Sequence, residues 1–81
     1  MKLKKFLKMV NKIDDIIIWF ENDNDEDGPA YKGSILHVPY YLLDYKLAMH
    51  REEDEKPICI VHYENEYGNK MAAYNVVLED D

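Results

Sequence analysis

The alternation of apolar and polar positions changes period three times along this chain. Leu3, Phe6, Leu7 and Val10 recur at helical spacing, with lysines around the remaining circumference, so an amphipathic helix is predicted over about residues 2–10. After a polar turn at 11–14 comes "DIIIWFE", five consecutive β-branched or aromatic residues, which reads as a strand. Ile16, Ile18 and Phe20 would share one face of it, and Ile17 and Trp19 the other. Both faces are apolar, which predicts a central strand or one covered on both sides.

"NDNDEDGP" breaks the pattern with a polar loop ending in Gly-Pro, and a second strand over 31–38 would return antiparallel to the first. Pro39 suits the first turn of a helix because it has no amide hydrogen to leave unsatisfied, and "YYLLDYK" continues it for about two turns. Such a helix would place Tyr41 with Tyr45, and Leu43 with Leu47, four residues apart on its surface. Leu42 and Leu43 would form the lid of the core, while Tyr40, Tyr41 and Tyr45 fringe it or meet a partner.

Beyond "KLAMHR" and the acidic turn "EEDE", the apolar runs around 57–66 and 67–81 flank Gly68-Asn69, a two-residue hairpin signal. The predicted class is therefore α+β, a single domain over 1–81: a small antiparallel β-sheet with a short N-terminal helix and a second short helix, in the order α-β-β-α-β-β-β.

The length, 81 residues, permits a core that buries only about 60 to 65% of the unfolded chain's surface. A core this small leaves room for self-association, and a homo-oligomer is compatible with it. Charge is more informative: 17 acidic against 10 basic side chains give a net charge of −7. Lys2, Lys4, Lys5, Lys8 and Lys12 hold five of the positive charges before the first acid, so the rest of the chain carries −12 (five basic against 17 acidic). Such a body repels a nucleic-acid backbone and attracts a basic protein surface. Its acidic groups are Glu21 with Asp23, Asp25, Glu26 and Asp27; Glu52, Glu53, Asp54 and Glu55; Glu64 with Glu66; and Glu79 to Asp81. Runs of this kind ordinarily form a solvated face. Converged on one edge of a sheet, they would instead imitate the spaced phosphates of a nucleic acid and occupy a partner's arginines and lysines.

Metal and catalytic motifs are thin. Asp23 to Gly28 match the first six positions of an EF-hand loop, but Ser34 stands where the bidentate acid belongs and the preceding segment is strand-like. Cys59 and His62, three apart on a strand, would point to opposite faces, so a packed cysteine and ordinary histidines are expected, with no metal or other cofactor. A single cysteine allows no intrachain disulfide. No phosphate loop, nucleophile elbow or His-Glu-x-x-His helix is present, and no enzymatic activity is expected. Neither a signal peptide nor a run of about 18 apolar residues is found, which predicts a soluble protein of the cytoplasm.

"YKGSILHVPYYLLDYKL", preceded by the helix and by "DDIIIWFEND", resembles small proteins of phages and mobile elements of Firmicutes bacteria, over about residues 3–66. The shared pattern is a strand with Gly leading into a Pro-x-x-Leu-Leu-Asp helix. Some proteins of that setting are anti-CRISPR inhibitors, several of them acidic, so the resemblance implies a bacterial host cytoplasm and a Cas effector as target. It carries over no catalytic residue.

The leading expectation is thus a non-enzymatic inhibitor that covers the basic nucleic-acid-binding surface of a CRISPR effector nuclease or similar protein, without touching nucleic acid or membrane itself. Its contacts would be Asp23, Asp25, Glu26, Asp27, Glu52, Glu53, Asp54 and Glu55, with Tyr40, Tyr41 and Tyr45 as aromatic anchors. Two alternatives stand beside it. One is an oligomeric nucleic-acid-binding protein that uses the lysine-bearing helix; the other is an assembly or regulatory subunit whose apolar face, with Trp19 and Val76, is completed by a partner.

Overall fold

A computed structural model describes residues 1–12, 14–22, 26–49 and 58–79. It contains one helix, α1 (Leu3–Leu7), and four strands: β1 (Asp15–Phe20), β2 (Tyr31–Ser34), β3 (Ile58–Glu64) and β4 (Lys70–Leu78). The strands form one sheet in the order β2-β1-β4-β3. Pairing is antiparallel between β1 and β2 and between β3 and β4, but β1 and β4 run parallel, with Ile16 beside Tyr74 and Phe20 beside Leu78. The sheet is therefore mixed, not antiparallel as expected. A parallel neighbour needs a crossover, and no local turn signal announces one.

The double-sided apolar character of β1 has its explanation in this order, since β1 lies between β2 and β4. Ile16 and Ile18 are fully buried on the inner face beside Val76 and Leu78. Leu3, Phe6 and Leu7 of α1 cover that face together with Leu42 and Leu47, closing the core. The helix keeps the predicted face but only its middle turn. Its first amides are satisfied from outside: Leu3 N–H donates to the Tyr45 carbonyl at 2.9 Å and Lys4 N–H to that of Leu43 at 3.1 Å.

The segment between β2 and β3 departs most from expectation. β2 stops at Ser34, whose hydroxyl accepts from Leu36 N–H at 3.2 Å and caps a 3-10 turn over Ile35–His37. The second helix is a single 3-10 turn, Tyr40–Leu42, with Pro39 as its N-cap. Its rise ends at Leu43, because the chain must extend to make isolated bridges, Lys46 with Lys2 and Leu47 with Leu78. Tyr41 and Tyr45 are accordingly not stacked on one helical face. Two strands follow this turn among the described residues, and the bridges at Lys46 and Leu47 are all that corresponds to a third. The lid itself is as expected, with Leu42 fully buried and Leu43 packed beside it.

The hairpin between β3 and β4 forms where Gly68-Asn69 predicts, but its loop is wider than two residues. Asn65 N–H donates to the Asn69 carbonyl and Gly68 N–H to that of Asn65, both at 3.0 Å. Gly68 sits at φ 79°, the left-handed position that a type I turn followed by a bulge requires.

Candidate functional site

Strand directions decide where the acidic segments start. β1 ends at Phe20 in register with Leu78, the end of β4, and β3 begins at Ile58 opposite Val76. The chain therefore leaves β1, leaves β4 and enters β3 at one and the same end of the sheet. Described acids at this end are Glu21, Glu26, Asp27 and Glu79, of which Glu26 and Asp27 are exposed. Glu21 N–H donates to the Leu78 carbonyl at 3.0 Å and Glu79 N–H to that of Lys46 at 2.8 Å, so the backbone fixes both beside the strand ends. Asp23, Asp25, Glu52, Glu53, Asp54 and Glu55 lie outside the described residues. Glu64 and Glu66 belong to the hairpin at the opposite end and cannot join this group.

The tyrosines divide. Tyr45 is half-buried and meets Phe20 edge to face, with ring centroids 4.8 Å apart, so it finishes the core. Tyr40 and Tyr41 are 83% and 61% exposed and make a T-shaped pair with each other at 6.4 Å, offering two aromatic surfaces to solvent. An open groove lined by Tyr41, Asp44, Tyr45, Lys46 and Glu79 joins Tyr41 to the acidic end. Positive charge is present here as well. Lys4 Nζ lies 3.4 Å from Asp44 Oδ1, both side chains well exposed, an ion pair that contributes little to stability but neutralises one carboxylate.

On the outer face of the sheet the structure assembles a group that sequence reasoning missed. Tyr63 Oη donates to Asp15 Oδ2 at 3.0 Å, and Lys32 Nζ lies 5.8 Å from the centre of the Tyr63 ring. The hydrogen bond to Asp15, then desolvation, then the nearby carboxylate charge raise the Tyr63 pKa above its ordinary value. A phenol held protonated is a donor, not an activated nucleophile. Beside it, Trp19 Nε1 donates to Asn75 Oδ1 at 2.8 Å. Finding these pairs needed the parallel register of β1 on β4, which no local signal carries. That register also separates Trp19 from Val76. Val76 pairs with Ile18 and is fully buried on the inner face, so the two do not share one apolar face.

Cys59 is exposed, not packed as expected, because it lies on the outer face of the sheet with Asn75, away from the inner core layer. Among the described residues no three His, Cys, Asp or Glu side chains are placed to hold a metal ion. Of the EF-hand-like stretch, Asp23 to Asp25 lie outside the described residues, and Ser34, at the twelfth position, caps a turn. No described helix is long and apolar enough to cross a membrane. Compared with known protein families, with curated proteins and with solved structures, the chain finds no match.

Proposed function

We propose that the protein is a non-enzymatic interaction module that docks its acidic end onto a basic, nucleic-acid-handling protein. One observation carries the reading: β1 and β4 end and β3 begins at one end of the sheet, where the described acids Glu21 and Glu79 are fixed and a groove runs from Glu79 to the exposed Tyr41. Carboxylates beside exposed tyrosines suit a surface of arginine and lysine. The acids steer association and form charge-assisted hydrogen bonds, while tyrosine supplies contact area with little entropy to lose. The narrower form of the proposal, an anti-CRISPR protein of a phage or mobile element, names a Cas effector nuclease as the partner and rests on the sequence resemblance alone.

The test is capture of candidate CRISPR nucleases by the tagged protein, washed at low and then high salt. A nuclease retained at low salt and released at high salt is the expected result, with a slower association rate after Glu26→Gln and Asp27→Asn together. Affinity and rate that ignore both salt and these substitutions would refute electrostatic docking. Recovery of nucleic acid that is lost on replacing Lys2, Lys4, Lys5 and Lys8 would instead favour the lysine-bearing helix as the binding element.

A further inference from the structure

The two edges of the sheet are unlike. β2 is four residues long, carries Lys32 and gives way at once to a 3-10 turn, features that blunt an edge. β3 runs for seven residues without proline, and Glu64 at its end is its one acidic or basic residue apart from His62. No described strand or helix pairs with its outer side.

The hairpin geometry fixes which backbone groups point outward there, unpaired among the described residues. Asn65 and Asn69 form the closing pair, with Asn65 N–H bonded to the Asn69 carbonyl, so by antiparallel alternation Tyr63, Val61 and Cys59 also direct their N–H and C=O toward β4. The amides and carbonyls of Ile58, Ile60, His62 and Glu64 therefore point away from the sheet. The side chains of this same set lie on the inner face, where Ile60 is 59% exposed and lines a notch with Ala72, Tyr74 and, at its margin, Asp14.

We propose that β3 pairs antiparallel with β3 of a second copy of this chain, joining two four-stranded sheets into one of eight strands. The occupant is a second copy because the strand complements itself. A two-fold axis at Val61 sets Ile60 opposite His62 and Ile58 opposite Glu64, each through residues whose backbone groups point outward, and the whole strand is used. Ile60 and His62 of both copies then close the notch around the axis. On the outer face Val61 meets its counterpart, and Tyr63 stands beside Cys59 of the other chain. The two Glu64 carboxylates fall at opposite ends of the new pairing and do not face each other. Each copy carries −7, so repulsion opposes the dimer and added salt strengthens it, the reverse of the salt effect expected for docking on a basic partner.

Sedimentation velocity over a concentration series tests this. The wild-type chain is expected to reach the mass of a dimer, sooner at high salt. Ile60→Lys, at a side chain already exposed in the single chain, halves the sedimenting mass with an unchanged circular dichroism spectrum. Tyr63→Cys, which faces Cys59 across the axis, forms a covalent dimer under mild oxidation, whereas Cys59 alone does not, since the two copies of it lie four positions out of register. A chain that stays monomeric at every concentration overturns the proposal, and so does a dimer indifferent to Ile60→Lys. A dimer that Ile60→Lys abolishes but Tyr63→Cys does not trap overturns the register and the self-complementarity argued from it.

Discussion

At the scale of single residues, Tyr63 is the side chain whose surroundings depart most from those of its type. Its hydroxyl donates to Asp15 across the width of β4. Removal of the hydroxyl in Tyr63→Phe is expected to cost about 1 kcal/mol at neutral pH, the ordinary net value of one hydrogen bond, since Asp15 is partly open to water and can be rehydrated. The pH dependence follows from the raised pKa. Folding holds this proton more tightly than the unfolded chain does, so the contribution is complete below about pH 10 and is lost as pH rises through the folded pKa. Urea denaturation of both proteins near pH 8 and about pH 11 checks it: the gap between wild type and Tyr63→Phe should shrink at the higher pH. A gap that stays constant or widens would show that the bond does not govern this titration. None of this was legible from Tyr63 itself, because a tyrosine in a strand has no local mark of its distant partner.

Elements were legible to the degree that their cause is local. The helical period of Leu3, Phe6 and Leu7 marked α1, and the apolar run from Ile16 marked β1 with its two faces correctly assigned. The stretch from Pro39 to Leu47 misled, since "YYLLDYK" favours helix while backbone bridges from Lys46 to Lys2 and from Leu47 to Leu78 hold its end extended and leave only one 3-10 turn, so tertiary pairing prevailed over propensity. Of the candidate site, the exposed tyrosine pair was legible only as one of two readings, and the common end of the strands depended on the parallel register. The β3–β4 hairpin is the element whose local chemistry is most complete. Asn65 Oδ1 accepts from Tyr67 N–H at 2.9 Å and Asn69 N–H at 3.0 Å, and Gly68 supplies the positive φ. Asn65→Ala leaves both amides to water, and Gly68→Ala forces a Cβ into the left-handed region at a cost of about 1 to 2 kcal/mol, although nothing lies close enough to clash with it. Thermal unfolding should show a lowered midpoint for each, and Gly68→Asn should recover part of the loss, because asparagine tolerates that conformation. Equal loss for Ala and Asn would mean that backbone strain is not what glycine relieves here.

For the whole molecule, the decisive contact is the pairing of β1 with β4, which joins residues near opposite ends of the chain and places the last strand at the centre of the sheet. Val76 and Leu78 are buried against Ile18 and Phe20 from one side and receive Leu47 from the layer above, so the inner core is incomplete until β4 is in place. Without β4 the remaining strands cannot compensate: β1–β2 is a short hairpin, β3 has no partner, and two-stranded ribbons are marginal in water. A chain ended at Asn69 is therefore expected to show no cooperative unfolding transition, whereas the full chain shows one. Refolding of the full chain should be slow for its length, roughly milliseconds to seconds, because closing the β1–β4 contact costs loop entropy before burial rewards it. The same order explains why the described acids Glu21 and Glu79 lie at one end of the sheet. A parallel pair ends both of its strands on the same side, and the antiparallel neighbour β3 must begin there, so the topology that makes folding non-local also sets Glu21 and Glu79 side by side. A cooperative transition in the shortened chain, seen by both near-UV circular dichroism and denaturant titration, would show that β1, β2 and α1 make a core of their own, and would remove the argument that β4 organises the acidic end.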